Sequence, residues 1–273
     1  MEKSEVRKPA VAGKFYPRDP ETLKRELDEC LAAESTIAED ALGCIVPHAG
    51  YMYSGYVAGA VYRKLPPRHS YVVLGPNHFG MGEPLAIDRR GTWMTPLGEI
   101  AIDESLAESV MSACPALSDD QVAHFSEHSL EVQLPFLQYL HKQFRFVPIA
   151  VGVGSYEPLE ALGHGVARAV KAAGEPVMIV ASSDMNHYQP DSVTRIKDRK
   201  AIDKILEFDP RGLYSVLDRE RITMCGFGPA IALLVAAQDL GATWAELVKY
   251  ETSADRGGDR EAVVGYAGIV ISK

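Results

Sequence analysis

Three times along the chain an apolar, β-branched run stops abruptly and gives way to a histidine. Tyr71-Val72-Val73-Leu74 meets Gly75-Pro76-Asn77 and then His78. Cys44-Ile45-Val46 runs into Pro47-His48-Ala49-Gly50, and Val177-Met178-Ile179-Val180-Ala181 into Ser182-Ser183-Asp184-Met185-Asn186-His187. A short continuous apolar run bounded by turn residues is the pattern of a buried strand. Gly and Pro end its ladder and leave the next side chain at the strand's carboxyl edge. Three strands that each deliver a histidine predict one site fed by all three.

Helical periodicity fills the intervals. Asp19-Pro20-Glu21 supplies a cap, a first-turn proline and an acid that complements the helix dipole, and Leu23, Leu27, Cys30 and Leu31 follow on one stripe. Ser54 predicts the cap of a second helix running to about Leu65, where Pro66-Pro67 ends it. With strands at 44–48 and 71–75 this makes a βαβ unit whose two histidine strands are parallel neighbours. Residues 84–102, broken at Arg89-Arg90-Gly91 and at Pro96-Leu97-Gly98, predict a small antiparallel excursion.

Further helices are expected over 103–113, capped by Asp103, and over 126–140. The second carries Leu130, Leu134 and Leu137 on its stripe and a kink at Pro135. A strand at 144–151, a helix at 156–173 and the third histidine strand at 177–183 come next. Helices at 191–207, at 210–218 and after Gly226-Phe227-Gly228-Pro229 lead to closing strands at 246–252 and 263–272. No linker or repeat divides the sequence, so residues 1–273 read as one α/β domain with a mixed, mostly parallel sheet flanked by helices. Such sheets bind ligands outside the carboxyl ends of their strands.

Composition narrows the classes. The 273 residues are 47% apolar, ample for a core, and carry a formal net charge of −9, which argues against a nucleic-acid footprint. The polar start Met1–Lys8 has no apolar stretch of a targeting segment, and no run is long and apolar enough for an ordinary membrane span. Cys30, Cys44, Cys114 and Cys225 form no CxxC pair, so the expectation is a reduced, cytoplasmic chain. There is no Walker loop, no GxSxG elbow and no dinucleotide fingerprint.

A lone turn histidine more often bonds a backbone carbonyl than a metal. His48 and His78 at matching strand ends favour metal binding, because neutral imidazole is the commonest ligand and first-row metals need several donors to converge. Cys225, where a turn meets the amino end of an apolar helix, is the candidate third ligand, its thiol pKa lowered by the helix amides. Its alternative is a small buried hydrophobe, the reading given to the other three cysteines.

Asp184 and His187 form an Asp-x-x-His pair in which the carboxylate is expected to orient the imidazole as general acid or base; a turn-capping Asp184 is the alternative. His128 and Glu131 either line the same cavity or form a surface pair. Tyr51, Tyr53, Tyr56 and Tyr188 cluster beside the histidines, as lining for a small-molecule or peptide ligand or as ordinary packing. His69, His124, His141 and His164 read as surface or helix residues.

Five ordered motifs, Pro47-His48-Ala49-Gly50-Tyr51, Gly75-Pro76-Asn77-His78, Glu127-His128-Ser129-Leu130-Glu131, Ser182–Tyr188 and Cys225-Gly226, make the chain resemble the Memo family (mediator of receptor-driven cell motility). The resemblance runs from about Pro9 to the carboxyl terminus. It implies the fold of LigB-type class III extradiol dioxygenases, with His48, His78 and Cys225 at the metal positions and Asp184 and His187 lining the pocket.

Ring-cleaving relatives hold iron(II) with two histidines and a carboxylate; a cysteine in third place departs from that pattern. The expectation is therefore iron(II) or copper, with zinc less favoured, and redox or oxygen-dependent chemistry on an unknown small molecule. A non-catalytic module for a phosphotyrosine-like peptide, as the receptor-signalling role of eukaryotic Memo proteins implies, is one alternative. Metal-dependent hydrolysis is another. For a prokaryotic chain the resemblance also implies radical-SAM and AMMECR-type partner proteins.

Overall fold

The computed structural model describes residues 6–33, 35–141 and 143–273. Residues 1–5, part of the amino-terminal stretch read above as lacking a targeting segment, lie outside the described residues. The strands are β1 (Val6–Arg7), β2 (Ala41–Val46), β3 (Ser70–Pro76), β4 (Leu85–Ile87), β5 (Thr92–Thr95) and β6 (Gly98–Ala101), then β7 (Ser118–Asp119), β8 (Arg145–Val151), β9 (Val177–Ser182), β10 (His187–Gln189), β11 (Trp244–Thr252) and β12 (Val263–Ser272). The helices are α1 (Pro20–Cys30), α2 (Tyr51–Tyr62), α3 (Glu104–Ala113), α4 (Leu134–Leu140), α5 (Tyr156–Ala172), α6 (Asp191–Leu206), α7 (Pro210–Glu220) and α8 (Phe227–Asp239).

Among the described residues nine strands form the main sheet, in the order β10-β12-β2-β9-β3-β8-β4-β7 with β11 along β12. Its centre, β2-β9-β3-β8, is parallel; β12 and β4 join it antiparallel. The fold is thus the expected mixed α/β sheet flanked by helices. On one face Gly268 of β12 leaves room for Val57 and Val61 of α2; on the other Gly43 of β2 leaves room for Leu233 of α8. Nearly all of α8 is buried, because the sheet covers one side and α5 and α7 the other. That explains a sequence apolar all round instead of along one stripe.

Five expectations need correction. The two histidine strands β2 and β3 are parallel but not neighbours: β9, the third histidine strand, is inserted between them. The second helix starts at Tyr51, capped by Gly50, whose carbonyl accepts the Tyr53 and Ser54 N–H groups. Ser54 lies inside this helix and its hydroxyl bonds back to the Ala49 carbonyl.

Residues 126–140 are not one kinked helix. A 3-10 turn at Glu131–Gln133 leads into α4, and Pro135 sits in the first turn, where its missing N–H costs nothing. In 84–102 only β5 and β6 form the antiparallel excursion, beside β1; β4 joins the main sheet. His124, read as a surface or helix residue, lies in a 3-10 turn and is fully buried against Trp93.

At the β10–β12 end, Asp198 of α6 is fully buried. Its carboxylate accepts the Asn186 N–H at 2.9 Å and the Tyr250 hydroxyl at 2.7 Å, fixing the loop between β9 and β10 from behind. Burial pushes this carboxyl up to about 7, against the pull of those two donors. A folded-state pKa raised above the unfolded one means that the native state binds the extra proton between about pH 4 and 7. Stability therefore falls as pH rises through that window. We expect wild type to lose on the order of 4 kcal/mol relative to Asp198→Asn between pH 4 and pH 7.5, read by denaturant unfolding at each pH. A stability difference that stays flat across the window would contradict the assignment.

Candidate metal centre

The carboxyl ends of β2, β3 and β9 open into a cavity of about 690 Å³ lined by His48, His78, His128, Asp184, His187 and Cys225, with Phe15, Gly50, Tyr188 and Thr223 around them. His48, His78 and Cys225 place one ligand atom each within 4.8 Å of one another. The Cys225 sulfur lies 3.1 Å from His48 Nε2.

Each imidazole is held through its other nitrogen. Ser182, the last residue of β9, sends its hydroxyl proton to the Ser129 carbonyl at 2.6 Å, and its oxygen accepts from Gln133 Nε2 at 2.8 Å. His48 Nδ1, 2.9 Å from the same oxygen, must then donate, which leaves the Nε2 lone pair facing the cavity. Gln133 is fixed in turn by the Tyr62 hydroxyl and the Pro47 carbonyl. His78 Nδ1 lies 2.9 Å from the buried Glu127 carboxylate, which also accepts the backbone N–H groups of His78, His128 and Ser129. His187 Nδ1 donates to the Thr223 carbonyl at 2.8 Å. All three rings thus carry the Nδ1 proton and present Nε2, the arrangement in which outer partners orient metal-ligating histidines.

Electrostatics agree. Burial, and then the neighbouring imidazoles, hold His48 well below the usual histidine range, and burial holds His128 down at about 4. Both are neutral at pH 7, as ligation requires. Burial works against ionisation of Glu127, yet the hydrogen bonds from His78 and the backbone win and hold its carboxyl at about 2. Cys225 overturns an expectation: burial and the Asp184 carboxylate push its thiol well above its ordinary value, and the amides of Asp184 and Gly226 do not compensate. A thiolate here needs a cation.

The structure separates the other candidates. Asp184 does not orient His187; its Oδ1 accepts the His48 N–H at 2.8 Å, and its carboxyl is raised by burial. Thr223 fixes His187 instead, through both its carbonyl and its hydroxyl. His128 lines the cavity, its ring stacked on His78 at 4.6 Å and against Phe15 at 4.7 Å.

Glu131 does not line the cavity. It is fully buried and binds Arg7, the N–H groups of Ala10 and Val11, and the Tyr16 hydroxyl, which fastens the segment carrying Phe15. Tyr51 turns into the core, its hydroxyl on the Val132 carbonyl and its ring against Phe136. Tyr53 lies outside the cavity lining at the surface, and Tyr56 packs under Arg256. Tyr188 stands at the mouth, 77% exposed, with φ of 58°, a left-handed conformation costly for an aromatic residue.

Glu127, Gln133, Ser182 and Thr223 carried no sequence signal as positioning residues. Each acts across at least 36 residues of chain, as Thr223 does on His187.

Comparison with known proteins gives consistent results. The family model described as "Memo-like protein" matches residues 7–270. A "MEMO1 family protein" of Methanosarcina barkeri is 45% identical over 267 residues, covering 97% of this chain and all of that one. Another, of Methanothermobacter thermautotrophicus, is 41% identical over 96% of this chain and 99% of its own. A solved structure, an uncharacterized protein from Escherichia coli K12, superposes with a TM-score of 0.58 at 14% identity, covering 84% of this chain and 98% of that one. It shows a shared fold.

Two substitutions test the geometry. Glu127→Gln removes the charge that holds the His78 proton and is expected to weaken metal affinity by about 10–100-fold while the far-ultraviolet circular dichroism stays unchanged. Unchanged affinity would remove Glu127 from the site. At Gly226 an added Cβ would run into the Ser182 carbonyl oxygen and the Ser183 side chain, forcing the start of α8 away from β9. Gly226→Ala should displace Cys225 and lower metal affinity at least as much.

Proposed function

The chain belongs to the Memo family, and we propose that it holds one iron or copper ion on His48, His78 and Cys225 for redox or oxygen-dependent chemistry on a small molecule. The observation that carries this reading is the convergence of two Nε2 lone pairs, each locked by a partner on Nδ1, with one sulfur. Imidazole and thiolate donors suit iron, copper and zinc and are unsuited to magnesium or calcium. Bound there, iron or copper would supply a redox couple and open coordination positions.

The remaining residues have separable tasks. Asp184 ties the backbone at His48 to the end of β9 and keeps that imidazole at the cavity wall. His187, half-buried and with Nε2 free, can accept or return a proton within the cavity. Phe15, His128 and Tyr188 give an organic ligand aromatic surface, in a volume of about 690 Å³ that suits a small molecule. A phosphopeptide fits less well. Phosphoryl recognition relies on Arg or Lys, and among the described residues the lining contains neither, while Asp184 adds negative charge.

Anaerobic loading with iron(II) or copper(I), followed by elemental analysis, is expected to leave at least one equivalent on wild type. His78→Ala and Cys225→Ala should each remove the larger part of it. Loaded wild type that retains no metal, or variants that retain as much, would overturn the reading. Protein that selects zinc and hydrolyses model esters in proportion to zinc content would replace redox chemistry by hydrolysis.

A further inference from the structure

Six donor side chains line the cavity, and two triads among them share the Cys225 sulfur. His48, His78 and Cys225 form one; Asp184, His187 and Cys225 form the other, while His128 groups instead with His78 and Glu127. Within each triad the ligand atoms lie within 4.8 Å of one another, and Cys225 is the shared member. Metal binding by the first triad leaves Asp184 and His187 as donors without a cation.

Their state is informative. Asp184 is only 5% exposed and lines the cavity. Among the described residues no side chain donates to it; its hydrogen bonds come from the backbone N–H groups of His48 and Ala49. A buried carboxylate is expensive unless it is paired or coordinates a metal, and among the described residues this cavity offers it neither Lys nor Arg. His187 turns its protonated Nδ1 to Thr223 and so presents Nε2 to the cavity, as His48 and His78 do. The sulfur between the triads can serve both, since a thiolate has lone pairs enough to bridge two cations.

We propose that the cavity takes a second cation of the borderline divalent class, held by Asp184 and His187 and joined to the first through Cys225 Sγ. A carboxylate, an imidazole and a shared thiolate suit such an ion. The proposal rests on the single-ion reading above, because the first ion generates the thiolate that the second shares. It also gives His187 two exclusive states, a proton carrier when one ion is bound and a ligand when two are.

Cobalt(II) serves as the probe, titrated anaerobically into the full chain. Wild type is expected to take up about two equivalents. Binding of the second should attenuate the paramagnetic resonance signal of the first, because a sulfur bridge couples the two spins. His187→Ala, at a half-buried position, and Asp184→Asn are each expected to stop at about one equivalent and to keep the full, uncoupled signal.

Saturation of wild type at one equivalent, two equivalents without spin coupling, or undiminished uptake by both variants would each overturn the proposal. One equivalent in wild type that His78→Ala removes and His187→Ala leaves alone would overturn it while preserving the single-ion reading. No cobalt bound at all would remove both. The coupling measurement uses wild type alone, so a variant that fails to fold leaves the test intact.

Discussion

An imidazole has one lone pair to offer, and the fate of its other proton decides which nitrogen carries it. In this protein that decision is made by groups far away in sequence. The Ser182 hydroxyl gives its proton to Ser129 and so obliges His48 to donate from Nδ1; Glu127 and the Thr223 carbonyl impose the same on His78 and His187. Much of the architecture at this end of the sheet serves those contacts. Insertion of β9 between β2 and β3 brings Ser182 beside His48. The irregular segment 126–130 brings Glu127 under His78, and burial of Glu131 against Arg7 and Tyr16 pins that segment from behind.

The electrostatic balance follows from the same packing. Removal of His48 and His128 from water keeps them neutral, while one buried anion, Glu127, is held ionised behind His78 by four donors. Asp184 and Cys225 are pushed in the opposite direction, toward their protonated forms, by burial that the neighbouring imidazoles and backbone amides do not offset. A cavity that pre-arranges neutral donors and penalises its own anions is complementary to a positive charge. This complementarity, more than the count of histidines, makes the metal reading preferable to a phosphopeptide pocket.

The sequence makes the strands, their abrupt ends and the histidines beyond them visible, because a buried strand and a Gly-Pro break are local patterns. It also points to Cys225 ahead of the other cysteines through its place before an apolar helix. Strand order is not local, and nothing in residues 41–76 announces that β9 will part β2 from β3. The partners of the imidazoles are equally hidden, since Glu127 acts across 49 residues and Thr223 across 36. Asp184 and His187 stand close enough in sequence to suggest a pair, yet the turn aims the carboxylate at the backbone of β2's end and leaves His187 to Thr223. Tyr51 misleads for a similar reason: one helical position decides whether a ring faces the cavity or the core, and it faces Phe136.

X-ray absorption at the metal edge of iron- or copper-loaded protein tests the central claim most directly, because it reads the ligand atoms themselves. A first shell of mixed nitrogen and sulfur, with imidazole scattering from two rings and a sulfur contribution that disappears in Cys225→Ser, is the predicted result. A shell of oxygen and nitrogen alone in wild type would contradict the account, since the metal would then sit away from the sulfur around which these residues converge.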